Sequence, residues 1–245
     1  ILGNTLHKYK AGLQHMIDVY DETILTTQMT RNETNLGAFF EYNYDGTEGF
    51  NAIIGARVDH HNLMGTFVTP RVHLRHAFFD NKSILRLSVG EGRRVASIFA
   101  ENQKFLGSQR KLFLAQPTEP MYGLLPERAW NYGLSWIQKA TFMNRPFDFI
   151  LDVYRTQFTN RVVVDWETPG AISFYNLDGK SHAQSMQLTV NTSLNDRVDL
   201  RFAYKTFDIK TDYKSGLKQV PLQAEHRWFA FCLLYTSDAA DERLS

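Results

Sequence analysis

Apolar and polar residues alternate with a period of two along most of the chain, the spacing at which a β-strand sends successive side chains to opposite faces. Phe50, Ala52, Ile54, Ala56 and Val58 share one parity, while Asn51, Arg57 and Asp59 take the other. Val72, Leu74 and Phe78 alternate with Arg71, His73 and Arg75, and Leu85, Leu87 and Val89 alternate with Arg86 and Ser88. Trp130, Tyr132, Leu134 and Trp136 oppose Asn131, Ser135 and Lys139. Phe147, Phe149, Leu151 and Val153 oppose Asp148 and Asp152, with Ile150 out of pattern. Met186, Leu188 and Val190, then Val198, Leu200, Phe202 and Tyr204, repeat the scheme, and weaker versions occur over 13–19, 36–44 and 222–228. The pattern predicts about ten strands, several longer than the 5 or 6 residues usual in a globular sheet.

The connections predicted between these strands alternate in length. Long or medium segments at 21–34, 61–69, 91–128, 160–180 and 214–218 are interleaved with tight turns at 45–49, 80–83, 143–146 and 195–197. A Greek-key sandwich has no reason to do this, whereas an up-and-down transmembrane β-barrel has long extracellular loops and short periplasmic turns. One face of each strand is nearly free of charge and the other is rich in Arg, Asp, Asn and Ser, the division that lipid outside and water inside would require. The fold class expected is therefore all-β, an antiparallel up-and-down barrel. The alternative is a soluble or surface β-sandwich binding module, for instance for carbohydrate, in which the same alternation lines a core between two sheets.

Composition changes this picture little. Of 245 residues, 43% are apolar and 22% charged, with a formal net charge of +1, which argues for a folded chain and against a nucleic-acid partner. No run approaches the ~18 apolar residues of a membrane helix, an absence that leaves barrels untouched. The chain starts at Ile1 without a leader and is expected to begin in mid-stream. Cys232–Glu242 (CLLYTSDAADE) resembles a translated transposase-type sequencing adapter, so 232–245 is expected to be a non-native tail after a 1–231 barrel domain. Without Asp238, Asp241, Glu242 and Arg243, the 27 Lys and Arg fall to 26 and the 26 Asp and Glu to 23, a formal +3. The tail also holds the single Cys, which removes disulfides, Cys-ligated zinc and thiol catalysis from the native part.

Four stretches carry a family resemblance: Asn62–Arg75 (NLMGTFVTPRVHLR), Leu85–Asn102 (LRLSVGEGRRVASIFAEN), Pro126–Gly133 (PERAWNYG) and Phe174–Ser181 (FYNLDGKS). In this order and spacing they resemble the barrel of TonB-dependent outer-membrane receptors of Gram-negative bacteria. The Pro126-Glu127 pair is the most telling, since in that family such a pair closes a long extracellular loop and opens a strand. The resemblance implies a 22-stranded barrel in outer-membrane lipid, of which about half is present, and an N-terminal plug that contacts the TonB complex. It also implies import of a scarce small-molecule or metal-chelate ligand such as an iron-siderophore or cobalamin. The plug, its TonB-contacting segment and the last strand with its terminal aromatic are all missing from the pattern.

Candidate chemistry follows from placement. Arg57, Asp59, Arg71, His73, Arg75 and Arg86 fall on the inner face, where pairing with the plug is favoured over direct contact with ligand. The 38-residue segment from Glu91 to Arg128 is too long for an idle connection. It concentrates Arg93, Arg94, Arg110 and Lys111, expected ligand-binding cations for an anionic chelate. The plainer alternatives are a solvated rim, contact with lipopolysaccharide phosphates, or a loop that merely covers the barrel mouth. Within it Val95–Asn102 is expected to form a helical turn, with Phe105, Leu106, Leu112 and Phe113 as apolar anchors. Trp130, Trp136 and Tyr204 read as interface aromatics. His60 and His61 are adjacent in a strand and cannot easily share one metal ion, and Gly90–Arg94 lacks the full glycine pattern of a phosphate loop. No nucleophile-elbow or zincin spacing occurs. No catalytic residue, metal site, cofactor or enzymatic activity is expected.

Overall fold

The structure, a computed structural model, describes residues 2–24, 27–46, 48–103, 107–116 and 119–235. Its main element is one antiparallel sheet in which successive long strands pair as hairpins. The order is β1 (Leu2–Gly3), β2 (His7–Ile24), β3 (Thr27–Asp45), β4 (Phe50–His61), β5 (Gly65–Phe78), β6 (Ser83–Arg94), β8 (Glu127–Phe142), β9 (Arg145–Asn160), β12 (Ser181–Asn195) and β13 (Val198–Tyr213). β14 (Gly216–Gln219) and β15 (His226–Leu234) both pair with β13. The nine strands of 12 residues or more, with the nine-residue β15 on the last of them, are the expected meander. The sheet curves as an open barrel segment, and its first and last strands do not pair with each other. Two sheets packed face to face, the sandwich alternative, are not what forms.

Tight turns occupy one edge as expected. The Met143–Asn144 turn has positive φ at both residues (50° and 57°), the geometry that matches the twist of a two-residue hairpin. Two connections differ from expectation. The segment 21–34 is not a long loop, because β2 and β3 continue through it in unbroken register from His7↔Tyr44 to Ile24↔Thr27. The 61–69 connection shortens to three residues between β4 and β5. Beyond the membrane neither face of a hairpin meets lipid, so polar residues on both faces are compatible with the backbone ladder.

Register assigns each side chain to a face. Leu13, Ile54 and Phe202, which are 82%, 51% and 45% exposed, share the outward face with Trp136 and Tyr204. Apolar side chains at that exposure over a whole sheet face need an apolar environment. No helix among the described residues is long and apolar enough to cross a membrane, which says nothing about strands. The last strand, β15, is apolar on both faces from Trp228 onward. Cys232, Leu233 and Leu234, set aside above as part of a foreign tail, extend it by pairing with Leu200, Asp199 and Val198.

The two longest connections do not stay irregular. β7 (Lys111–Phe113), β10 (Val162–Asp165) and β11 (Ala171–Asn176) form a second, three-stranded sheet in which β11 runs parallel to β7. A short helix, α1 (Ile98–Glu101), lies within the expected helical turn. Ala96, Ile98, Phe99, Tyr122, Leu124, Val162, Ile172 and Phe174 bury one compact core, with Leu112 and Trp166 packed against it. Of the expected anchors, Leu112 serves this core. Phe113 lies on the opposite face of β7 and is exposed, because neighbouring strand residues point to opposite faces. Phe105 and Leu106 lie outside the described residues.

Candidate functional site

The inner face is a lattice of polar contacts. Asp59 accepts hydrogen bonds from Arg57 Nε (2.8 Å) and from Asn35 Nδ2 (2.8 Å), and Arg57 Nη1 donates to Gln14 Oε1 (2.6 Å). Gly37 lies against this cluster, and a side chain there would occupy the space of the Arg57 guanidinium and the Asp59 carboxylate. Arg71 pairs with Glu41, and Arg75 donates to Asn51 Oδ1 (3.1 Å). Arg86 and His73 have no hydrogen-bond or ion-pair partner among the described residues, and both line a concavity of about 550 Å³ with Arg75, Ser135, Asp152 and Tyr154. All six inner-face residues singled out in the sequence therefore share one face. Arg57 and Asp59 satisfy each other, while Arg86 and His73 are left available.

A second polar cluster, absent from the sequence reading, lies where the small sheet docks on β2–β4. Arg31 is only 2% exposed: its guanidinium lies 4.4 Å from the Tyr20 ring centroid, and Nη2 donates to Ser97 Oγ (3.2 Å). Arg31 Nε sits 2.8 Å from Glu33 Oε1 but off the N–H axis, an ion pair without a directed hydrogen bond, and Nη1 has no partner. His61 Nδ1 accepts from the Leu63 N–H (3.1 Å), which leaves the ring hydrogen on Nε2, 3.4 Å from Glu33. Arg31, Glu33 and Asn35 stand at alternate positions of one strand. That spacing is the only signal the sequence offers for the cluster.

The docking contact beside it is a strained turn. Met121, Tyr122 and Gly123 have φ of 60°, 58° and 74°, left-handed values that cost a residue with a Cβ about 1–2 kcal/mol. Tyr122 is 1% exposed in the module core, meets Phe99 edge-to-face at 5.0 Å, and donates its hydroxyl to Glu22 of β2. Burial, helped by that carboxylate, pushes the Tyr122 phenol above its ordinary range.

The four cations expected to bind ligand are not brought together. Arg93 and Arg94 belong to β6. Arg93 pairs with Glu91 (2.8 Å) over the Phe67 ring, and Arg94 is held by Glu127 (2.7 Å) and Glu101 (2.8 Å). Arg110 lies over the indole of Trp166 (5.5 Å), and Lys111 is exposed on β7 with no ion-pair partner among the described residues. On the neighbouring connection, Glu167 accepts from Lys218 Nζ (2.6 Å) and from Ser215 Oγ (2.5 Å), tying the small sheet to β14. The Lys218 ammonium, with the Ser215 hydroxyl, holds the Glu167 carboxyl below its ordinary value of 4.5. A depressed carboxyl contributes stability that is present above its unfolded pKa and lost as pH falls through the folded one. As pH falls below about 4.5, then, the amide protection factors at residues 214–218 are expected to drop, and Lys218→Met should abolish that pH dependence. Equal acid sensitivity with and without Lys218 would remove the tie.

The profile of the TonB-dependent receptor-like β-barrel aligns with residues 2–238. The chain belongs to that family. TonB-dependent receptors of this type are receptors and transporters rather than enzymes, and the family resides in the outer membrane of Gram-negative bacteria. The barrel is similar to that of the FrpB iron transporter from Neisseria meningitidis, at 11% identity and a TM-score of 0.63, over 96% of this chain and 39% of that one. It is also similar to the siderophore receptor PirA from Pseudomonas aeruginosa, at 11% identity and 0.59, over 84% and 38%. A third similar structure is the copper transporter OprC, at 12% and 0.62, over 85% and 36%. The chain thus spans under two fifths of the length of each of these three proteins, and at these identities the likeness concerns the fold. No curated protein matches it.

Proposed function

We propose that this chain is part of an outer-membrane receptor that captures a scarce anionic metal chelate, of the iron-siderophore kind, for energy-coupled import. The supporting observation is the ordered module at the long-loop end, which presents Arg110 and Lys111 without a carboxylate partner among the described residues. Arg93 and Arg94, engaged with Glu91, Glu101 and Glu127, act in this reading by fixing the loop base rather than by touching ligand. The unpartnered Arg86 and His73 then face a plug domain whose carboxylates complete the lattice, and energy reaches the ligand site through that plug from the TonB complex.

The test is a receptor carrying this barrel with Arg110→Gln and Lys111→Gln together. Loss of two charge-assisted contacts should weaken binding of a ferric siderophore by about tenfold or more, while heat-modifiable migration of the barrel is unchanged. Undiminished affinity in a correctly folded double variant would exclude these two cations from the ligand site.

A further inference from the structure

On the outward face of β8, β9, β12 and β13, polarity changes abruptly with height. Cross-strand register aligns Trp136, Leu151, Leu188 and Tyr204 in one row and Leu134, Val153, Met186 and Thr206 in the next. One step nearer the long connections the row is Tyr132, Arg155, Gln184 and Asp208, followed by Trp130, Gln157, His182 and Lys210. An apolar band thus ends at a polar belt edged by Tyr132 and Trp130, the arrangement of a membrane interface.

Arg155 is the exception within that belt. His182 and Lys210 share the Asp208 carboxylate, at 3.1 and 3.2 Å. Arg155 is exposed and donates Nη1 to Gln184 Oε1 (3.1 Å) and Nη2 to Gln157 Oε1 (3.1 Å), and it has no carboxylate among the described residues. Two amides hold the guanidinium in place without neutralising it. Three of its five N–H groups remain to be filled, at a depth where a bare cation is costly and phosphate is the abundant anion. The flat fork of a guanidinium fits phosphate oxygens in pairs, which a lysine ammonium does not. The Gln157 and Gln184 amides and the Trp130 indole offer donors and acceptors on either side, suited to sugar hydroxyls.

We propose that Arg155, positioned by Gln157 and Gln184, is a docking site for a phosphate of the outer-leaflet glycolipid, the lipid A portion of lipopolysaccharide. This inference rests on the outer-membrane reading above. The site faces lipid and is separate from the ligand-binding module.

The receptor carrying this barrel is to be purified in detergent from outer membranes and titrated with bisphosphorylated lipid A, dephosphorylated lipid A and phosphatidylglycerol. Wild type should bind bisphosphorylated lipid A at least fivefold more tightly than either of the others. Arg155→Gln, which keeps N–H donors at the position but removes the charge, should abolish the difference, and Arg155→Lys should recover part of it. Equal binding of bisphosphorylated lipid A by wild type and Arg155→Gln overturns the site, and so does an absence of preference over dephosphorylated lipid A or phosphatidylglycerol. Membrane fractionation and heat-modifiable migration of the same samples separate the two claims. A barrel found in the outer-membrane fraction without lipid A preference defeats this proposal alone, whereas a protein absent from that fraction defeats the outer-membrane reading.

Discussion

Ile172→Asp is expected to open the loop module while leaving the barrel wall folded. Ile172 is fully buried near the start of β11, opposite Leu112 of β7, and touches the core shared by α1, β10 and β11. Replacing it deletes a buried aliphatic side chain and places a carboxylate where no donor waits, together about 4–5 kcal/mol. A core of eight buried residues has little stability to spare beyond that. The main sheet does not use Ile172, and its ladder of backbone bonds runs elsewhere. Proteolysis should then cut within 95–126 and 161–180 at least tenfold faster, with heat-modifiable migration retained and, on the function proposed above, chelate affinity reduced because Arg110 and Lys111 lose their support. Ile172→Val, costing about 1 kcal/mol, should behave as wild type. Unchanged protease resistance in the Asp variant would show that the small sheet is not the element that orders these connections.

The second large effect is expected in the barrel wall. Asp59 is 3% exposed and is the common acceptor for Arg57 and Asn35. Asp59→Leu strands both donors, and because the Arg57 side chain keeps 29% exposure, water recovers part of the loss, leaving about 2–3 kcal/mol. Adding Arg57→Met should restore most of it, since removing both members of an ion pair costs much less than removing one. The readout is the temperature at which the detergent-folded barrel loses its heat-modifiable form. A double variant no more stable than Asp59→Leu would mean that the pair is not coupled.

What the chain discloses about itself depends on which environment each residue meets. Where one face meets lipid and the other water, as over Leu85–Val89 or Trp130–Trp136, the alternation is written plainly and the strands can be placed from it. At 21–34 both faces are polar, the alternation stops, and a stretch such as Thr27–Glu33 reads as loop although its backbone pairs throughout. The small sheet is invisible for another reason: β7 is three residues long and its partner is the parallel β11, far away in sequence, so no local period records it. Site residues divide in the same way. Register could place Arg57, Asp59, Arg71, His73, Arg75 and Arg86 on one face, but not that Asp59 already occupies Arg57 while Arg86 stays open. Arg94 looked like a free loop cation because Glu101 and Glu127, which hold it, are distinguishable only once the chain is folded.

The parallel pairing of β7 with β11 has a consequence for how such receptors can exchange specificity. The connection after β6 and the connection after β9 each supply part of one core and one sheet, so neither is complete without the other. A chimera that grafts only residues 95–126 from another receptor would present a foreign strand to β11 and a foreign surface to Ile172 and Phe174. Recombination, natural or engineered, therefore has to carry both segments as one cassette, together with the β8–β9 hairpin that lies between them.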